Sequence, residues 1–97
     1  MMYHLRAQAE ADVAEIWRYT ASRWGAKQAD KYYASLIDGF RSLAANPNLG
    51  RSCEEIRPGY RRHSVGAHVV FYKADGAEVD IVRILHSRRD FQQHLPA

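Results

Sequence analysis

Hydrophobic and polar positions follow two periods along this chain, a helical one up to residue 45 and an alternating one after residue 59. Met2 to Leu5 is a short apolar segment, read as an edge strand. From Ala7, the residues Ala9, Val13, Ile16, Trp17, Thr20 and Trp24 recur at steps of three and four, the stripe of an amphipathic helix. Glu10, Asp12 and Glu15 in its early turns suit the helix dipole. Gly25 interrupts as a cap residue would. A second stripe runs through Ala29, Tyr33, Leu36, Phe40 and Leu43, widened by Tyr32, Ile37 and Ala44, with Lys27, Asp30, Lys31, Asp38 and Arg41 opposite. Asn46-Pro47-Asn48 ends it, because proline disfavours helix at the residue before it.

The strands come next. Tyr60 to Val65 reads as a polar strand turning at Gly66, and Ala67 to Lys73 as a second strand rich in Val, Phe and Tyr. Asp75-Gly76 is a hairpin signal. Glu78 to Leu85 is the third strand, with Val79, Ile81 and Leu85 expected on one face and Val82 and Ile84 on the other. Apolar residues on both faces predict a central position. Phe91 and Leu95, one helical turn apart, predict a short helix in the tail. The order β-α-α-β-β-β with a tail implies an α+β domain, a helical hairpin packed on one face of a mainly antiparallel sheet. The other face is then partly open or covered by something else.

Composition adds limits rather than an identity. Ninety-seven residues, 46% of them hydrophobic, make one domain over 1–97 with a thin core. Fourteen Lys and Arg against eleven acids give a formal charge of +3 and a pI near 9.2. The excess is concentrated late: Arg57, Arg61, Arg62, Lys73, Arg83, Arg88 and Arg89 face only Asp75, Glu78, Asp80 and Asp90. Such a balance permits an acidic partner and does not demand one. The lone Cys53 fits a reducing cytoplasm and reads as a partly buried spectator. No run approaches the ~18 apolar residues of a membrane helix, so no membrane partner is expected.

Candidate chemistry concentrates where the third strand ends, in His86-Ser87-Arg88-Arg89-Asp90. His63, His68 and His86 lie on consecutive strands and suit acid–base work near neutral pH, if they converge. Their spacing supports no metal site, and no cofactor is expected. Arg61, Arg62, Arg88 and Arg89 are shaped to grip phosphates or carboxylates. Arg83, on a strand face with Ile81 and Leu85, reads as a structural residue paired with an acid, and Asp90 as a structural residue paired with Arg88, Arg89 or the sheet rim. Tyr32, an aromatic left outside the helical hairpin, is a candidate anchor for a partner helix.

Five ordered segments carry a resemblance. They are Ala9 to Tyr19 (A-E-A-D-V-A-E-I-W-R-Y), Asn46 to Arg51 (N-P-N-L-G-R), Gly59 to Arg62 (G-Y-R-R), His68 to Lys73 (H-V-V-F-Y-K) and Val82 to Asp90 (V-R-I-L-H-S-R-R-D). With them the chain resembles the ParE toxins of the RelE/ParE superfamily, the toxin halves of bacterial type II toxin–antitoxin pairs. The resemblance implies a cytoplasmic toxin that inhibits DNA gyrase and is neutralised in a hetero-oligomer by the disordered, binding-coupled segment of a ParD-like antitoxin. It implies target contacts at His86, Arg88 and Arg89 and antitoxin contacts at Trp17, Tyr32, Arg61 and Arg62. Direct nucleic-acid binding it leaves open. The alternative is the RelE branch, which cuts mRNA on the ribosome. There His63, His68 and His86 would be the catalytic candidates, but the middle strands lack the stronger bases of RelE relatives and no tyrosine follows Leu85. A third reading is a non-toxic module that only binds antitoxin.

Overall fold

A computed structural model describes residues 2–76 and 78–96, with Asp75 through its backbone alone. Strand β1 (Met2–Leu5) leads into α1 (Ala7–Trp24), and α2 (Ala26–Ala45) follows after one residue. That residue, Gly25, caps both helices: its N–H donates to Ala21 O and its carbonyl accepts from Ala29 N–H. Its φ of +93° is what requires glycine, since a Cβ there would meet nothing within 4 Å.

The helices bury narrower stripes than their sequences suggest. Helix α1 buries Ala9 and Thr20, with the Thr20 hydroxyl donating to Ile16 O, whereas Trp24 is 61% exposed. In α2 the buried line runs Ala29, Leu36, Phe40, Leu43 and Ala44, with half-buried Tyr32 packed against the core and Tyr33 outside it. Both tyrosines satisfy a three-or-four spacing, and Tyr32 is the one whose hydroxyl reaches the turn at Gly66, at Val65 O and Ala67 N. Gly39 makes that approach possible, because a Cβ there would lie 2.8 Å from Val65 Cγ2.

Four further strands complete the sheet: β2 (Arg51–Ser52), β3 (Arg61–Val65), β4 (His68–Asp75) and β5 (Glu78–His86). Their spatial order is β1-β5-β4-β3-β2, antiparallel throughout except for β1, which runs parallel to β5 from Met2 opposite Glu78 to Leu5 opposite Ile81. This is the α+β arrangement expected, with two corrections. The two-residue β2 was not anticipated, and the middle strand is β4, while β5 lies between β1 and β4.

A third correction concerns the faces of β5. Phe71 pairs with Arg83 and Tyr72 with Ile81, so Val82 is an extra residue in a β-bulge. Past the bulge the alternation inverts. Ile84, not Leu85, joins Val79 and Ile81 under the helices, and Leu85 joins Val82 on the opposite face. That opposite face is closed by the chain itself: Cys53, Ile56 and Tyr60 pack on it together with Leu95 and with Phe91 of α3 (Phe91–His94). Burial, first of all, raises the Cys53 thiol pKa, as befits an inert thiol.

The N-P-N-L-G-R segment owes its form to one buried hydroxyl. Tyr72 Oη accepts the Gly50 N–H at 3.0 Å and donates to Pro47 O at 2.7 Å, while Arg61 Nε donates to Gly50 O at 3.0 Å. A Cβ on residue 50 would sit 2.6 Å from Arg62 O, a backbone atom that cannot step aside cheaply. Gly50→Ala is therefore expected to cost about 1–3 kcal/mol of stability. Thermal melting checks this, and an unchanged midpoint would mean the loop yields freely.

Candidate functional site

Strand β1 stops at Leu5, opposite Ile81, so the edge of β5 beyond it has no neighbouring strand. Helix α1 supplies a substitute. Asp12 Oδ2 accepts the Ile84 N–H at 3.0 Å, and the same carboxylate holds Arg83 through Nε at 2.7 Å and Nη2 at 2.8 Å. The hydrogen bonds to Asp12, first among the causes, raise the Arg83 pKa. Arg83 Nη1 also donates to His94 O, so one guanidinium ties the sheet to α1 and to α3. Asp12 is the key residue that sequence reasoning did not single out; its partner lies 71 positions away.

Beside this ion pair, a cleft of about 780 Å³ opens between the helical hairpin and the end of β5, reaching Ile16, Tyr19, Trp24, His68, His86 and Arg89. Its apolar wall includes two of the most exposed aromatics, Tyr19 and Trp24, which meet edge to face at 6.3 Å with the Arg23 guanidinium near both rings. Its polar floor is a chain of three rings. Tyr32 Oη accepts the Ala67 N–H at 3.1 Å and lies 2.6 Å from His68 Nδ1 and 3.1 Å from Val65 O. The His68 and His86 rings then meet edge to face at 5.5 Å. The tyrosine is thus clasped on the β3–β4 turn, where a Cβ at Gly66 would come within 2.7 Å of its hydroxyl and φ is +56°.

This network sets the protonation of the site. Burial, with the neighbouring His86 second, lowers the His68 pKa, which favours its uncharged form. His86 Nδ1 accepts the Arg88 N–H at 3.2 Å, so one of its ring nitrogens is engaged within the turn.

The structure joins some of the expected residues and separates others. His68 and His86 are cross-strand partners, whereas His63 stands opposite Val70 and bonds to neither histidine. Arg88 and Arg89 are exposed on the turn after β5, with Arg89 Nη1 3.3 Å from His94 Nε2. Asp90 does not pair with either arginine; its carboxylate caps α3 by accepting the Gln92 N–H. Trp17, Tyr32, Arg61 and Arg62 share no single surface. Trp17 Nε1 donates to Asp30 in a groove on the outside of the hairpin, Arg61 is engaged with the 46–50 loop, and Arg62 lies on the ring of Phe91 on the far side of the sheet. Tyr32 is not the free outer aromatic expected, because its hydroxyl is fully engaged. Among the described residues no group of three or more His, Cys, Asp or Glu is placed to hold a metal ion, and no helix is long and apolar enough to cross a membrane.

Comparison with known proteins agrees with this architecture. Residues 3–91 match the family described as "ParE toxin of type II toxin-antitoxin system, parDE". Toxin ParE1 of Mycobacterium tuberculosis is 46% identical over 94 residues, 96% of each chain. Toxin ParE1 of Caulobacter vibrioides is 41% identical over 93 residues, again 96% of each. Toxin ParE of Escherichia coli is 38% identical over 94 residues, 96% of this chain and 91% of that one. Among solved structures, a chain of the chromosomal ParDE TA system from P. aeruginosa superposes with a TM-score of 0.77 at 24% identity, covering 89% of this chain and 95% of that one.

Proposed function

This chain belongs to the ParE toxin family of type II toxin–antitoxin systems, and from that premise we propose that it acts in the bacterial cytoplasm by inhibiting DNA gyrase, held inactive by a ParD-like antitoxin bound directly to it. The observation that carries the reading is how the histidines are engaged. His63 stands apart, His68 presents Nδ1 to Tyr32, and His86 presents Nδ1 to the Arg88 N–H. The three histidines therefore do not converge into one cluster, as shared acid–base work on a single substrate would require. The arrangement suits a rigid contact surface, with His86, Arg88 and Arg89 presented on a turn at the end of a packed strand.

The cleft beside that turn has the makings of an antitoxin site. It combines exposed Tyr19 and Trp24 with a strand edge that α1 covers through Asp12, so a segment folding on arrival finds aromatic anchors beside a fixed rim. Purified toxin added to gyrase, supercoiled plasmid and ATP is expected to trap double-strand breaks while leaving mRNA on translating ribosomes intact. Codon-linked mRNA cuts with gyrase unaffected would replace this reading with the ribosomal one. Normal growth on expression of folded toxin without antitoxin would replace it with the non-toxic binding module.

A further inference from the structure

Four arginines surround the short helix α3 and its lead-in turn, where the one carboxylate, Asp90, is turned to cap the helix and forms an ion pair with none of them. Arg57 Nη2 donates to Gln92 O at 2.8 Å and Nη1 to Ile56 O, the Arg62 guanidinium lies 6.0 Å from the centre of the Phe91 ring, and Arg89 reaches His94 Nε2. Arg88 is exposed beside them. Among the described residues the ion pairs are Arg6–Asp80, Arg18–Glu15 and Arg83–Asp12, and none involves these four. The nearest acids are already occupied in part: Asp90 caps α3 and Glu54 accepts the Gly59 N–H. Backbone carbonyls, an aromatic ring and a ring nitrogen therefore hold Arg57, Arg62 and Arg89 in place, and no ion pair among the described residues engages them.

We infer that this arginine ring binds the phosphate backbone of nucleic acid directly, a contact that does not depend on which enzyme the toxin stops. A planar guanidinium held outside any ion pair is suited to bidentate contact with phosphate oxygens. Basic side chains gathered around one short helix, on a chain of pI near 9.2, are the footprint that such binding leaves. The exposed large apolar side chains lie elsewhere, on α1 and α2 (Tyr19, Trp24, Tyr33), on β1 (Met2) and in the 46–50 loop (Leu49). What the arginines around α3 offer is charge, which a phosphate backbone can use without apolar anchors.

The test is fluorescence anisotropy of a labelled 30-base-pair duplex titrated with the full-length protein, alone, from 50 to 200 mM salt. Four phosphate contacts predict a slope of log K against log salt of about −3.5, with no sequence preference. The double variant R57A/R62A is expected to halve the slope to about −2, and the charge-keeping R57K/R62K to retain most of it. K27A/K31A, on the exposed face of α2, should leave it unchanged. Salt-independent binding, the same slope in R57A/R62A, or tighter binding of labelled polyglutamate than of the duplex would each overturn the inference. Because gyrase is absent from the assay, a negative result leaves the proposed target untouched.

Discussion

Arg83→Ala is expected to cost about 3 kcal/mol, at the lower end of what breaking a buried ion pair costs, because both side chains keep 15% of their surface exposed. A domain of this size has on the order of 5–15 kcal/mol of stability, so the loss is a large share of the whole. The melting midpoint should fall on the order of 15 °C. The cost does not measure the attraction between the two charges. It arises because Asp12 would remain buried with only the Ile84 N–H, and because β5 would lose its tie to His94. Asp12→Ala should be comparably severe, leaving a buried guanidinium and an unsatisfied strand N–H. The double replacement Asp12→Leu with Arg83→Met should recover much of the loss, since an apolar pair of similar volume carries no stranded charge. A midpoint for Arg83→Ala within a few degrees of the parent would show that the pair is solvated and structurally idle.

Replacing Arg88 and Arg89 together by alanine should separate toxicity from folding. Both are exposed, and Arg89 gives up only its contact with His94, so stability should change by about 0.5 kcal/mol or less. If the turn engages the target, growth inhibition and trapped gyrase breaks should fall at least tenfold, while antitoxin affinity, measured by calorimetry, falls by a smaller factor. Arg89 is one wall of the cleft, and Tyr19 and Trp24 remain as its anchors. Full toxicity in a folded double variant would remove these residues from the target surface. Loss of toxicity together with loss of antitoxin binding would make the turn part of the antitoxin surface instead.

Much of the architecture was legible in the sequence because it depends on local period. The change from helical spacing to alternation marks where the hairpin ends and the sheet begins, and Asn46-Pro47 and Gly66 mark the joins. What local period cannot carry is everything decided by a distant partner. The Val82 bulge exists only in the pairing of β5 with β4, so Ile84 and Leu85 exchange faces with no local signal. Tyr32 and Tyr33 are equivalent by spacing, and the β3–β4 turn chooses between them. Strand β2 is two exposed residues, too short for any pattern. At the candidate site, the late arginines and histidines stood out by type alone. Their division into paired, clasped and free groups rests on Asp12, Tyr32 and α3, none of which the sequence links to them.

The parallel pairing of β1 with β5 also bears on when this protein can become active. The first strand to leave the ribosome has its only sheet partner at residues 78–81, and Asp12 waits for Arg83. At about 5–20 residues per second, those N-terminal groups remain unpaired for several seconds of synthesis. Neither the β5 edge nor the turn that follows it exists until residues 78–90 have been made. Toxicity is thereby timed by topology: an antitoxin made alongside has until that segment emerges to be waiting at the surface it covers.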